Sequence, residues 1–132
     1  MTNDWNGPSR KILVIGAGEL GMPVLRNVVR RAAGVAESVV DVLLRGTTID
    51  STVPAKQHDV AEIRELGIGI VRGDLVENTV DDLAAVFADY DTVIGCTGIS
   101  AGLDTPMKVA QAAMQAKLPR YFPWQFGVDF DV

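Results

Sequence analysis

Several residue types are scarce in this chain of 132 residues, and each scarcity excludes a class of protein. Its one cysteine, Cys96, has no partner for a disulfide within the chain, which fits a reducing compartment. No apolar run reaches the roughly 18 residues that a membrane-spanning helix needs. The polar leader at residues 1–10, predicted to be flexible, lacks the apolar core of a signal peptide. The sequence therefore predicts a soluble, cytoplasmic protein.

Basic residues are also outnumbered. The chain has 12 lysines and arginines against 17 acidic residues, a formal net charge of -5. This balance argues against a nucleic-acid-binding protein, which needs a basic face. The one histidine, His58, has no cysteine or histidine at ligand spacing, so no metal site is expected. No P-loop motif of the Gly-Lys-Ser/Thr kind occurs either.

The most informative feature is a glycine-rich turn behind an apolar stretch. Residues 11–15 read Lys-Ile-Leu-Val-Ile, and Gly16-Ala17-Gly18-Glu19-Leu20-Gly21 then matches Gly-x-Gly-x-x-Gly. In dinucleotide-binding turns the first glycine makes the tight turn, the second lets the backbone approach a pyrophosphate, and the third lets the helix pack on the strand. The helix N-terminus offers unpaired N–H groups to the phosphates. We therefore predict that residues 16–21 bind a cofactor, with a plain strand-to-helix turn as the alternative.

Strand and helix patterns alternate along the chain. Short apolar strands separated by helices indicate a parallel sheet that is covered on both faces. Right-handed crossovers then give an α/β fold of the Rossmann type, doubly wound, with the strand order 3-2-1-4-5. The predicted strands are residues 11–15, 39–44, 68–71, 92–96 and 120–122, within one domain over 11–132.

No helix pattern follows the fifth strand, so we expect the domain to be truncated after it. The alternative is a natural short protein that covers the open sheet face by dimerising. An uncovered apolar face favours self-association or a protein partner.

The segments between the strands carry boundary signals. Residues 46–57 are rich in Gly, Thr, Ser, Asp and Pro, which predicts a loop. Asp59 and Glu62 have the spacing of a capping box before a short helix. The same spacing at Thr79 and Asp82 predicts the start of the next helix.

Arg45 ends the second predicted strand, where a dinucleotide fold faces the adenosine ribose. An acidic residue there binds the 2′-hydroxyl of NAD, whereas an arginine accommodates the 2′-phosphate of NADP through charge-assisted hydrogen bonds. The strand's one acid, Asp41, comes too early to reach the ribose. We therefore predict NADP(H) as the cofactor, with a surface arginine as the alternative. Lys56 is a candidate second cation, a solvated lysine being the simpler interpretation.

Further residues follow the other strands. Thr97 and Gly98 would lie near the nicotinamide half of a dinucleotide, and Asp74 could face the adenine; a turn or a cap is the alternative for each. Glu19 is expected to point outward, because an inward carboxylate would repel the pyrophosphate. Cys96 is expected to be a buried packing thiol rather than a reactive one.

The closing residues 120–127, Arg-Tyr-Phe-Pro-Trp-Gln-Phe-Gly, add a resemblance. Together with the glycine turn, Leu43-Leu44-Arg45 and Gly73-Asp74-Leu75, they resemble the NmrA-like and isoflavone reductase-like family of atypical short-chain dehydrogenases. That family's fifth strand typically ends in Arg-Phe-x-Pro-Ser-Glu-Phe-Gly; here Trp-Gln replaces Ser-Glu, as in its fungal aromatic alcohol reductase-like branch. The resemblance implies that Arg45 contacts the 2′-phosphate of NADP.

The resemblance also implies an NADPH-dependent reductase of an aromatic or phenylpropanoid-like substrate. The family's catalytic lysine and substrate-binding helices follow the Phe-Gly segment, where this chain ends. Tyr90 and Tyr121 are not followed four residues later by the lysine of ordinary short-chain dehydrogenases. We therefore assign no catalytic residue and expect cofactor binding without efficient turnover. The plant members usually carry a glycine turn one residue longer, so their phosphate contacts need not superpose.

Two other functions stay open. A non-catalytic NmrA-like regulator would sense NADP(H) and bind a protein partner. Gly-x-Gly-Glu-Leu-Gly is also similar to the first domain of ATP-grasp enzymes, a fold in which the Pro-Trp-Gln-Phe-Gly ending has no place.

Overall fold

The computed structural model describes residues 10–17, 21–96 and 104–123. Most of the predicted leader, residues 1–9, lies outside them. No helix in the described ranges is long and apolar enough to cross a membrane. The elements, in chain order, are β1 (Lys11–Ile15), α1 (Gly21–Ala32), β2 (Val39–Leu44), α2 (Gly46–Ile49), α3 (Pro54–Glu65), β3 (Gly69–Arg72), α4 (Val80–Phe87), β4 (Thr92–Gly95), α5 (Thr105–Gln115) and β5 (Arg120–Phe122).

The five strands form one parallel sheet in the order β3-β2-β1-β4-β5, which confirms the predicted topology. The strand bounds agree with the predicted ones to within one residue. β1 lies at the centre, where Leu13 pairs with Asp41 of β2 and with Val93 of β4. A strand with neighbours on both sides and helices on both faces is apolar where it is covered: Leu13 and Val14 are fully buried, while Lys11 at its start is exposed.

Helices cover both faces of the sheet and divide the core into two clusters. α4 and α5 pack on the face that carries Leu13, Ile15 and Leu43. α1 and α3 pack on the face that carries Val14 and Val42. Because successive side chains of a strand point to opposite faces, each apolar strand supplies both clusters. The sheet is therefore doubly wound.

A polar pair lies on the first of these faces, towards the amino ends of the strands. Tyr90 follows α4, and its hydroxyl donates to Oδ2 of Asp41 at 2.7 Å. Burial raises the pKa of Tyr90, and the Asp41 carboxylate raises it further. Asp41 is thus engaged away from the carboxyl ends of the strands, where parallel sheets bind ligands.

The predicted loop over residues 46–57 is wrong in two places. α2 occupies its start, and α3 begins at Pro54 without any side-chain cap. Proline starts a helix well because its φ is fixed and it has no N–H to leave unpaired. Asp59 and Glu62 therefore lie inside α3 rather than at its start. Glu62 instead accepts two hydrogen bonds from the Arg26 guanidinium of α1, at 2.6 and 2.9 Å.

The capping box predicted at Thr79 is confirmed. Its hydroxyl accepts from the Asp82 N–H at 3.1 Å, and the Asp82 carboxylate accepts from the Thr79 N–H at 3.0 Å. These bonds hold the pKa of Asp82 below its ordinary value. Two of the N–H groups at this end of the helix thereby gain partners.

Replacing Phe87 by alanine tests the cluster beneath α4. Phe87 is the largest fully buried side chain of this core, so we expect Phe87→Ala to lower the free energy of unfolding by about 3–5 kcal/mol. Urea denaturation measures the change. Met114→Ala is the control, because Met114 is 78% exposed on α5 and its loss should change stability by less than about 0.5 kcal/mol. Equal losses in both variants would contradict the assignment of this core.

Candidate functional site

A cavity of about 350 Å³ opens where β1, β2 and β3 end. This volume lies within the range of small-molecule sites, and the carboxyl edge of a parallel sheet is where such sites form. Its lining residues come from the ends of four strands and from two of the helices between them: Ile15, Gly16, Ala17, Leu43, Leu44, Arg45, Thr48, Lys56, Asp59, Val60, Ile63, Gly73, Asp74, Leu75, Val76 and Cys96.

The floor of the cavity is an extension of the sheet. The N–H groups of Gly16, Gly73 and Cys96, each just past the end of its strand, donate to carbonyls of neighbouring strands at 3.0, 3.0 and 2.9 Å. These bonds fix the first residues of three loops relative to one another. The loops that line the cavity are therefore fixed to the sheet where they begin.

The glycine turn forms one side of the cavity. Gly16 has a φ of 89°, a conformation that favours glycine. A Cβ on Gly21 would lie 2.5 Å from the carbonyl oxygen of Gly16, so α1 starts in a close approach that only glycine allows. Gly21 therefore lies behind the turn, while Gly16 and Ala17 line the cavity. Gly18, Glu19 and Leu20 lie outside the described residues.

The two predicted cations line the same cavity as the glycine turn. Arg45 directly follows β2 and precedes α2. Lys56 lies in the first turn of α3. The structure thus brings Arg45 and Lys56 together with Gly16 and Ala17, residues that are as much as 40 positions apart in the sequence. The predicted Thr97 and Gly98 lie outside the described residues.

One wall of the cavity was missed by sequence reasoning. Lys56, Asp59, Val60 and Ile63 all line it from α3, at intervals of three, four and seven residues that place them on one helix face. The signal was Pro54. Interpreted as the first residue of a helix, it would have placed this whole face towards the end of the sheet.

The loop after β3 forms another wall of the cavity. The Asp74 carboxylate accepts hydrogen bonds from the N–H groups of Val76 at 2.8 Å and Glu77 at 3.3 Å. Oδ1 of Asn78 accepts from the Asp74 N–H at 2.7 Å. Asp74 therefore holds a turn, which was the alternative interpretation of this residue, and it also lines the cavity. Val76 is 55% exposed there.

Cys96 lines the cavity floor but is a packing residue. It is 8% exposed, and burial raises the pKa of its thiol to about 11. A thiol with such a pKa is protonated at neutral pH, which leaves it a weak nucleophile.

A second pattern escaped sequence reasoning. Residues 98–102 read Gly-Ile-Ser-Ala-Gly, the Gly-x-Ser-x-Gly spacing of a hydrolase nucleophile elbow. Such a serine needs a histidine base, and the one histidine, His58, is exposed on α3 and is not among the lining residues of the cavity. The serine itself lies outside the described residues. The pattern by itself carries no function.

Comparison with known proteins gives one family. The sequence model of the NmrA-like family matches residues 8–132. An NmrA-like family domain-containing oxidoreductase of Gibberella moniliformis is 43% identical over 123 residues, which are 93% of this chain and 40% of that protein. Isoflavone reductase homolog P3 of Arabidopsis thaliana is 30% identical over 92% of this chain and 36% of its own length. The chain thus spans two fifths or less of these relatives.

The fold also matches solved structures. The binary complex of leucoanthocyanidin reductase with NADPH from Vitis vinifera superposes with a TM-score of 0.72 at 22% identity, over 90% of this chain and 37% of the other. At this identity the likeness shows a common fold.

Gly21→Ala tests the close approach at the turn. The added methyl group must push the Gly16 carbonyl away, so we expect the free energy of unfolding to fall by about 1–3 kcal/mol. Gly34→Ala is the matched control, because its Cβ would meet its nearest neighbour, the Arg31 carbonyl oxygen, at an ordinary 3.8 Å. Chemical denaturation compares the two, and equal stability of both variants would contradict the packing described.

The state of Cys96 is open to direct measurement. At about pH 8 we expect iodoacetamide to label the native chain about a hundredfold more slowly than the urea-unfolded chain, because the thiolate is scarce and the sulfur is buried. Labelling should accelerate as the pH rises towards the raised pKa. Mass spectrometry measures the labelling rate, and fast labelling of the native protein would show that the thiol is not buried.

Proposed function

The chain belongs to the NmrA-like family, and from this membership we propose that it binds NADP(H), with the 2′-phosphate between Arg45 and Lys56. One observation carries the proposal: both cations line the cavity that the glycine turn also lines. The turn would hold the pyrophosphate and the two side chains would hold the phosphate on the adenosine ribose.

The charges in the cavity wall favour NADP over NAD. Recognition of NAD needs an acid after the second strand, and Arg45 occupies that place. A guanidinium can form paired charge-assisted hydrogen bonds with a phosphate, and an ammonium adds a point charge. Two carboxylates also line the cavity. That of Asp74 is engaged by backbone N–H groups, whereas Asp59 lies one helical turn after Lys56.

We propose that this site serves an NADPH-dependent reduction of an aromatic, phenylpropanoid-like substrate. The relatives include an oxidoreductase and an isoflavone reductase homologue, which supports the reaction class. The cofactor, when bound, supplies the hydride, and the residues described here bind and orient it. None of the described residues is assigned as catalytic: the Tyr90 hydroxyl is bonded to Asp41, away from the cavity.

A second candidate shares the same site. An NADP(H)-binding regulator without turnover is favoured by the engagement of Tyr90, since binding needs no proton donor. Consumption of NADPH by the chain in the presence of aromatic carbonyl compounds would exclude the regulator without turnover.

Calorimetric titration of the 132-residue chain tests cofactor choice. We expect NADPH to bind at least about tenfold more tightly than NADH, and Arg45→Ala to remove most of that preference by raising the Kd for NADPH alone. Lys56→Ala should remove part of it. Arg64→Ala is the control, because Arg64 is an exposed cation in the last turn of the same helix as Lys56.

Two results would contradict the proposal. Equal affinity of the wild-type chain for NADPH and NADH would show that no site recognises the 2′-phosphate. An effect of Arg64→Ala as large as that of Arg45→Ala would show that overall charge, rather than a site, controls binding.

A further inference from the structure

We propose that Lys108 is a positioning residue that holds the loop after β3 in the shape needed to receive the adenine ring. This inference rests on the proposed NADP(H) site and adds to it a residue that is not among its lining residues. Lys108 lies in the second turn of α5, on the element that follows β4.

The geometry around the Lys108 ammonium is complete. Nζ donates to the carbonyl oxygens of Leu75 at 2.9 Å, Val76 at 3.0 Å and Asn78 at 3.0 Å. A lysine ammonium has three protons, and three acceptors surround this one. Lys108 is therefore already committed and offers no proton to a substrate; its role is to fix the loop.

The loop is held from two sides. Its N–H groups at Val76 and Glu77 bind the Asp74 carboxylate, and its carbonyls at Leu75, Val76 and Asn78 bind Lys108. A carboxylate within the loop fixes the turn itself. The lysine ties that turn to another element, because its backbone belongs to α5.

α5 gives the lysine a rigid base. Val109 and Ala112, one and four residues further along the helix, are buried in the core beneath the sheet face. The loop inherits that rigidity through three bonds that start at one charged atom, and hydrogen bonds to a charged group are stronger than neutral ones.

The held segment has the right chemistry for a flat apolar ring. Leu75 and Val76 line the cavity, and Val76 is 55% exposed although it is aliphatic. Arg45 and Lys56, which would take the ribose 2′-phosphate, line the same cavity from other elements. The base attached to that ribose then needs an apolar wall within the cavity, and Leu75 and Val76 provide one.

Lys108→Met tests the proposal, because methionine keeps the length of the side chain and loses all three donors. We expect the Kd to rise about tenfold for NADPH and for NADH alike, so that the ratio between the two is unchanged. An unchanged ratio of the two Kd values distinguishes the role of Lys108 from that of Arg45, because loss of Arg45 should change this ratio. Lys108→Arg, which keeps charge and donors, should recover part of the affinity.

Gln115→Met is the matched control. Gln115 also joins α5 to the α4 region, through a 2.8 Å hydrogen bond from Nε2 to Oδ1 of Asp81, but it does not touch the loop. We expect at most a small thermal shift and no change in Kd. Hydrogen exchange gives a readout that needs no cofactor: amides 75–78 should exchange faster in Lys108→Met and not in Gln115→Met.

The outcomes are distinguishable. A wild-type chain that binds neither cofactor overturns the proposed function, while the exchange data still show whether Lys108 holds the loop. If the wild-type chain binds NADPH and Lys108→Met binds it with the same Kd, the present inference alone is overturned. Unchanged exchange in the loop overturns it too. An altered NADPH-to-NADH ratio would place Lys108 at the phosphate rather than at the base.

Discussion

β1 pairs with β2 on one side and with β4 on the other, and the cavity is a consequence of that pairing. After β1 the chain runs outward through β2 and β3, then returns to the other side of β1. The loops after neighbouring strands therefore diverge at the end of β1 instead of covering it. Gly16 stands at that divergence, and its N–H still bonds to the carbonyl of Leu43 in β2. The turn is thus fixed to the sheet on the side where the cavity opens.

Two cations and two carboxylates line the cavity, and one of the carboxylates is held by hydrogen bonds within its own loop. Asp74 is held by two backbone N–H groups, whose dipoles offset part of its repulsion towards a phosphate. Arg45, directly after β2, and Lys56, in the first turn of α3, both line the cavity. The hydrogen bond to Glu62 raises the pKa of the Arg26 guanidinium, and the charge of Asp59, on the same helix face as Lys56, adds to this. The two cations thus come from the end of β2 and from α3, while one of the two carboxylates, Asp74, is bonded within its own loop.

The fold could be predicted because its signals are local. The strands are indicated by their apolar composition, and the cap at Thr79 and Asp82 by its spacing. The alternation of strands and helices then predicts the doubly wound sheet. α3 was misplaced because its start depends on Pro54 alone, in a stretch whose composition otherwise indicates a loop. That single misplacement hid Asp59, Val60 and Ile63 from the predicted site, whereas Arg45 and Lys56 could be proposed from strand order and charge. The contact between Lys108 and the loop after β3 has no local signal, because its partners are backbone carbonyls about 30 residues away.

Lys108 also gives α5 a relation to both parts of a bound dinucleotide. The helix begins after β4, on the side where the nicotinamide half would lie, and its second turn binds the loop that would face the adenine. Because α5 is buried in the core, a displacement of this helix would be passed to the loop after β3 through three hydrogen bonds from one nitrogen atom.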